Sequence, residues 1–254
     1  MTAAHQTLVA KQFGAHAAAY VTSAVHASGE DLDQIAKFAA SIKPARALDL
    51  GCGGGHVSFT LAPHCGEVVA FDLSADMLGV VAQEAATRKL GNIVTQQGRV
   101  EALPFADASF DLVATRYSVH HWHDVPKAVA EARRVLPAGG RAIFADNTSP
   151  AVPLFDTWLQ TIELLRDPGH VRGYTVAEWM RFLGAAGFVP NAVVTRRKRL
   201  EFAPWITRLA TPAVHVAAIR ALHAAMPKEV AAYFELEADG TFTFDTMTIE
   251  ATAV

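Results

Sequence analysis

The sequence predicts an α/β fold, a doubly wound sheet with helices on both faces. Three observations predict it. From Arg46 to Asp146 short apolar runs alternate with helix-period patterns, as successive strand–helix units require. The first run, "ARALDL", empties into "GCGGG" before a helical pattern begins at His56. The second, "EVVAFD", ends on a carboxylate, Asp72, 17 residues past the last of those glycines.

The elements follow in order. "ARALDL" is the first strand and "HVSFTLAPH" the helix after the glycines, with Val57 and Leu61 at helical spacing. "EVVAFD" is the second strand. "SADMLGVVAQEAATRKL" is a helix opened by Ser74 as N-cap and closed near Gly91. "NIVTQQ" and "FDLVAT" are the third and fourth strands. "HDVPKAVAEARRVL" is a helix stopped by Pro137 and the Gly139–Gly140 turn, and "RAIFAD" is the fifth strand. "HQTLVAKQFGAHAAAYVTS", which holds Phe13 and Tyr20, reads as helical and precedes the first strand. After the fifth strand comes a helix and loop rich in Pro, Gly and aromatics, "SPAVPLFDTWLQTIELLRDPGHVRGYT". "TVAEWMRFLGAAGF" then carries a capping box, Thr175 with Glu178, and ends at Gly187. "VPNAVVTRRKRLEF" and "TFTFDTMTIEA" are two late strands separated by about forty mostly helical residues. Without internal repeat or linker, residues 1–254 are expected to form one domain: a helical cap at 1–44, a cofactor-binding core at 45–147, and helical lid or substrate segments at 148–186 and 203–238.

Composition narrows the function. Of 254 residues 51% are hydrophobic, enough for a sizeable core, and 19% are charged. A formal net charge of −3 supplies no field for nucleic acid or an anionic membrane. The one basic run, "TRRKRLEF", reads as a solvated strand. Two cysteines, Cys52 and Cys65, make neither a zinc quartet nor a disulfide framework. The N-terminus lacks a signal-peptide pattern, and no apolar run reaches about 18 residues, so a cytoplasmic protein without a membrane span is expected. The expected partner is a small-molecule substrate, and a homodimer is the one assembly entertained.

A strand emptying into glycines lets a ligand touch bare backbone. Dinucleotide folds want G-x-G-x-x-G with a pyrophosphate on the helix N-terminus. Here glycines stand at 51, 53 and 55, and His56 occupies the place of the third. Asp49 beside the loop would repel a pyrophosphate but suits a ligand bearing an ammonium group. Asp72 can accept hydrogen bonds from both ribose hydroxyls of an adenosine. Strand, glycines, second strand and terminal Asp in that order point to an adenosyl ligand. Against a nicotinamide dehydrogenase stand Asp49 and His56.

The stretches "LDLGCGGG", "FDLSADML", "GRVEALPFADASFDLV" and "RYSVHHWHDV" resemble the class I S-adenosylmethionine-dependent methyltransferases. The likeness is to the small-molecule branch that includes the ubiquinone and menaquinone C-methyltransferases (methyltransferase type 11). It covers Phe13 to about Asp146 and is looser beyond. It implies a Rossmann-like, seven-stranded mixed sheet and S-adenosyl-L-methionine as cofactor. By the resemblance Gly51, Cys52 and Gly53 line its methionine and ribose portion. Asp49 holds the amino group through water, and Asp72 takes the ribose hydroxyls. Leu73 and Met77 pack on the adenine, and Gly98 to Glu101 pass its edge with the Val100 N–H offered to it. Arg116 sits by the amino acid end, while Phe13 and Tyr20 match an element that closes over the cofactor. Arg99 departs from the pattern: the family often has Asp there to accept the adenine amino proton, and Arg accepts no hydrogen bond.

Methyl transfer from a sulfonium is an in-line displacement, so the protein must align the nucleophile, exclude water and sometimes take a proton. "YSVHHWHD" offers His120, His121 and His123 after the fourth strand. His121, which aligns with the family's recurrent histidine, is the candidate base, with a loop-bracing hydrogen bond as its alternative. Asp146–Asn147 resembles a metal-dependent O-methyltransferase site, but the acid needed after the fourth strand is replaced by "TRYS", so no metal is expected. An Asn/Asp-Pro-Pro-aromatic motif for exocyclic amines is missing, and neither cysteine suits cytosine C5 chemistry. Tyr117, His120, Trp158, Arg172 and Tyr174 are the candidate substrate pocket. The expected activity is methyl transfer to a small-molecule carbon, nitrogen or oxygen, and the rival is a non-catalytic S-adenosylmethionine-binding module or regulator.

Overall fold

A computed structural model of the chain describes residues 3–14 and 28–254. A first helix, α1 (Ala3–Gly14), is followed by α2 (Glu30–Ile42). Strands β1 (Arg46–Leu50), β2 (Glu67–Asp72) and β3 (Ile93–Gln97) alternate with helices α3 (His56–Leu61) and α4 (Ala75–Thr87). Then come β4 (Leu112–Arg116), α5 (Val125–Arg134), β5 (Arg141–Asn147), α6 (Pro153–Arg166) and α7 (Val176–Ala186). The chain closes with β6 (Phe188–Leu200), the helices α8 (Phe202–Thr207), α9 (Ala213–Ala225) and α10 (Lys228–Tyr233), and β7 (Phe242–Ala253).

The seven strands form one sheet in the order β3-β2-β1-β4-β5-β7-β6. The first five are parallel, and β7 runs antiparallel to both β5 and β6. The strand order therefore reverses between β1 and β4, and the crevice at their carboxyl ends is where such sheets receive ligands. The expected mixed sheet, with its two late strands, is what the chain forms.

Alternating side chains of the central strands feed two cores because both faces are covered. Leu48, Leu50, Phe71, Val113 and Phe144 meet Val125, Val129 and Ala132 of α5 and Trp179 and Leu183 of α7. On the opposite face Ala47, Val68, Leu112 and Ile143 meet Ile35 and Phe38 of α2 and Val57 and Leu61 of α3. The capping signals act as read: Ser74 Oγ accepts from Met77 N, Thr175 and Glu178 close a capping box, and Gly187 takes φ 87° after α7.

The stretch at 148–186 divides in two. Helix α7 covers the sheet, its Trp179 being 1% exposed. Helix α6 instead joins the residues at 203–238 in a separate core with the ends of β6 and β7, where Leu159, Ile162, Trp205, Ile219 and Phe242 are buried together. The basic run on β6 is neutralised where it is exposed: Arg197 pairs with Asp245 and Glu235, and Arg199 with Glu237. No helix among the described residues is long and apolar enough to cross a membrane.

Candidate cofactor and acceptor site

The loop after β1 is pinned to β2, because Gly51 N and Cys52 N both donate to Phe71 O at 2.8 and 3.0 Å. At Gly51 (φ 68°) an added Cβ would lie 1.9 Å from Ser118 Oγ, so the glycine lets the loop after β4 close in. Gly53 (φ 48°) has nothing within 4 Å of its would-be Cβ. Its bare face is a cradle. Asp72 closes one side, its Oδ2 accepting from Gly53 N at 2.9 Å and its Oδ1 from Ser74 N at 2.8 Å. Burial raises the Asp72 carboxyl above the usual range although these N–H groups oppose the shift. One backbone donor per oxygen leaves acceptor capacity on each for a ligand diol.

These residues line a cavity of about 1090 Å³, its open mouth included, at the carboxyl ends of the strands. Of the residues expected to hold the cofactor, Gly51, Cys52, Gly53, Asp72, Leu73, Met77, Gly98, Arg99, Val100, Glu101 and Arg116 all line it. Arg99 stays half exposed, 3.8 Å from the Glu101 carboxylate. Asp49 is set differently. It is 1% exposed and is not among the lining residues; its Oδ2 accepts from Ser58 Oγ at 2.6 Å, and its Oδ1 is buried without a partner. Burial pushes its carboxyl up to about 7. Tyr20 lies outside the described residues, as does the Phe13 side chain. From α1 it is His5, Val9 and Ala10 that reach the cavity.

Sequence reasoning missed Asp31. It sits in the first turn of α2 and takes the Arg116 guanidinium bidentately, Nε at 2.6 Å and Nη2 at 3.2 Å, with both side chains buried. Burial would raise this carboxyl, but the guanidinium overrides it and holds it below the usual range. Tyr117 follows Arg116 in left-handed backbone (φ 51°) and lines the cavity. Its hydroxyl accepts from Lys198 Nζ at 3.2 Å, and burial pushes that ammonium down to about 8. Neither partner is recoverable from spacing, since Asp31 lies 85 positions from Arg116 and Lys198 lies 81 from Tyr117.

The histidines diverge. His121 lines the cavity, with Nδ1 3.1 Å from Gly169 O, and burial followed by the His120 charge pushes it down to about 4. His120 turns away from the lining and brings Nδ1 to 2.6 Å from Asp146 Oδ1. His123 is exposed. Asp146 spends its oxygens on that ring and on the N–H groups of Val119 and Asn147. Among the described residues no cluster of three or more His, Cys, Asp or Glu is disposed to hold a metal.

Besides His120, three more expected pocket residues are not brought to the cavity, which leaves Tyr117. Trp158 packs on the core around α6, because the helix turns its apolar face toward β6 and β7. Arg172 pairs with Asp156 at 2.9 Å. Tyr174 packs edge-on against Phe182 of α7.

Residues 48–144 match the family described as methyltransferase domain. The protein YafE of Escherichia coli K12, described as uncharacterized, is 47% identical over 201 residues, 79% of this chain and 97% of YafE. YcgJ of Bacillus subtilis 168, described as an uncharacterized methyltransferase, is 35% identical over 201 residues, 79% of each chain. The crystal structure of YcgJ superposes with a TM-score of 0.84 at 31% identity, covering 88% of this chain and 97% of YcgJ.

Proposed function

The chain belongs to the methyltransferase domain family, and from that premise we propose that it is a cytoplasmic enzyme, alone or as a homodimer, transferring a methyl group from S-adenosyl-L-methionine to a small-molecule carbon, nitrogen or oxygen. One observation carries the assignment. Asp72 is held open-handed by Gly53 N and Ser74 N beside the bare face of Gly53, in a cavity that Arg116, Tyr117, Ser118 and His121 also line. That lining supports a ligand with a diol, an adenine and a charged amino acid end. When bound, the cofactor supplies an electrophilic methyl group on a sulfonium.

The residues of this chain do the rest. Asp72 takes the ribose hydroxyls, Leu73 and Met77 flank the base, and the Val100 N–H is offered to its edge. Arg116, fixed by Asp31, borders the amino acid end. Its charge is already neutralised, so it orients without flooding the site with positive potential. Asp49 does not line the cavity, so its carboxyl, which burial pushes up to about 7, acts on an ammonium group through water. His121 is the brace of its loop, since a ring held near 4 and tied to Gly169 O is a weak proton acceptor at neutral pH.

Calorimetry with S-adenosylmethionine, S-adenosylhomocysteine and NADH tests the cofactor; saturable binding is expected of the first two and not of the third. Incubation with a small-molecule library, read as S-adenosylhomocysteine formed and a methyl mass shift, tests the activity. Cofactor binding without any turnover would leave a binding module in its place.

A further inference from the structure

The basic run on β6 leaves one charge that the fold does not answer. Alternate residues of a strand point to opposite faces, so Arg197 and Arg199 stand on one side and Arg196 and Lys198 on the other. Every arginine of the run has an acidic partner: Arg196 takes Glu30 at 3.1 Å, Arg197 takes Asp245 and Glu235, and Arg199 takes Glu237. Lys198 makes no ion pair among the described residues. Its Nζ donates to the Tyr117 hydroxyl at 3.2 Å and lies 4.5 Å from the centre of that ring. Two ammonium protons are left over. The side chain is nevertheless partly buried, and that desolvation pushes it down to about 8. An ammonium withdrawn from water ordinarily meets a carboxylate.

The first turn of α2 shows why none is at hand. Glu30 is given to Arg196, and Asp31 is given bidentately to Arg116. Tyr117 supplies no charge, because burial and the Asp31 carboxylate hold its phenol protonated well above the ordinary range. The groups facing Lys198 are thus Asp31 from α2, Arg116 and Tyr117 from the end of β4, and Arg208 beyond α8. Cations outnumber the one carboxylate. Position adds to charge. β4 and β6 are three strand spacings apart, about 14 Å, with β5 and β7 between them. Lys198 pairs with Phe244 of β7, beyond the level of Thr246, where β5 ends at Asn147. Tyr117 and Lys198 therefore reach toward each other across the ligand-binding edge of the sheet. Tyr117 lines the cofactor cavity, and Lys198 stands behind its hydroxyl, outside that lining. The tyrosine holds this place in left-handed backbone, a costly conformation of the kind that clusters at ligand sites.

We propose that Lys198 anchors an anionic group of the methyl acceptor, a carboxylate or a phosphate, with Tyr117 as the wall between that group and the cofactor. The inference rests on the methyltransferase reading above. Two unspent ammonium protons match the oxygens of such an anion, and the bonds they form are charge-assisted. The amino acid end of the cofactor already has Arg116, which lines the cavity as Lys198 does not. An anion beside Lys198 offsets the excess of Arg116, Lys198 and Arg208 over Asp31. Protonation and binding are then linked, since a bound anion favours the charged lysine. Anion affinity should hold steady below about pH 8 and weaken as the pH rises past it, where the free lysine loses its proton.

The test is an NMR titration of the lysine side chains in the whole chain saturated with S-adenosylhomocysteine, with Lys198 assigned by its loss in K198M. Without further anions Lys198 should titrate near 8, against about 10.4 for a solvated lysine. Acetate, benzoate, inorganic phosphate and phenyl phosphate are then added in turn, with benzamide as the uncharged control. The carboxylates or the phosphates, whichever chemistry the acceptor carries, should raise the Lys198 titration by about one unit, which is tenfold tighter binding to the ammonium than to the amine. Benzamide should leave it in place. Calorimetry of the responding anion should show about a tenfold loss in K198M and most of the affinity kept in K198R, which retains the charge. S-adenosylmethionine affinity should stay within about twofold of wild type in both variants, as for a side chain that touches no cofactor atom. A Lys198 titration that none of the four anions moves, or equal anion binding by K198M, would overturn the proposal. A tenfold loss of S-adenosylmethionine affinity in K198M would give the lysine to the cofactor carboxylate and overturn it as well. Failure of the wild type to bind S-adenosylhomocysteine would instead overturn the methyltransferase reading, and the acceptor assignment with it.

Discussion

Replacing Asp72 by alanine removes a carboxylate whose two oxygens are each engaged by one backbone N–H, Gly53 at 2.9 Å and Ser74 at 2.8 Å. Both donors lie at the cavity wall, so water can reach them in the variant. The loss of stability should stay at about 1–2 kcal/mol, as for exchange of a charged acceptor for solvent. The cofactor has no such substitute, because its ribose hydroxyls lose a charged acceptor worth about 1.5–3 kcal/mol. The dissociation constant should therefore rise about 10- to 150-fold. Asparagine sharpens the test. It keeps the shape but sets an NH₂ against either Gly53 N or Ser74 N, so its affinity should fall between wild type and alanine. Burial raises the Asp72 carboxyl in the ligand-free protein. Ribose hydroxyls favour the ionised form, so binding should weaken as the pH falls into a range above the usual 3.8 for this group. Isothermal titration calorimetry of S-adenosylmethionine at pH 7.5 and at pH 5, beside circular-dichroism melts, reads all of these. An alanine variant that melts like the wild type and binds with unchanged affinity would remove Asp72 from the site.

The glycines should separate fold from ligand. G51A forces Ser118 aside from a 1.9 Å clash and should lower the melting temperature, whereas G53A meets no atom within 4 Å; it should cost only about 1–2 kcal/mol for the left-handed backbone while weakening cofactor binding at least tenfold. D31A strands the buried Arg116 guanidinium without its bidentate partner and should lower stability in urea by about 3–5 kcal/mol; a loss below 1 kcal/mol would show the pair to be solvated. Histidine in the unfolded chain takes a proton near 6.5, but in the fold His121 does so only near 4 and His170 near 2, with burial the first cause in both. Their contribution is intact above about pH 6.5 and drains as pH falls toward 4, so thermal melts should decline over that window and H170Q should shallow the decline. Transfer is expected to survive chelation, because Asp146 is already committed to Val119, Asn147 and His120; loss in EDTA with recovery on magnesium would overturn that expectation.

The sequence alone determined the elements whose signals are local. Strand–helix alternation, the Ser74 and Thr175 caps and the Gly187 stop act over a few residues, so they can be read along the chain, and each stands where it was read. The glycine loop and Asp72 were legible for the same reason: a tight turn and a strand-end carboxylate are set by neighbours in sequence and by one parallel pairing. Tertiary structure decided everything that depends on distant segments meeting. Asp31 finds Arg116 across 85 positions and Lys198 finds Tyr117 across 81, where no periodicity links them. Trp158, Arg172 and Tyr174 read as pocket residues because aromatics and cations near Pro and Gly suggest a binding loop. Packing turned Trp158 into the core around α6 and Tyr174 against α7, and Asp156 took Arg172. The three histidines of one short loop are chemically alike in sequence. Only their burial and partners, a carboxylate for His120, a carbonyl for His121 and solvent for His123, set the three rings apart.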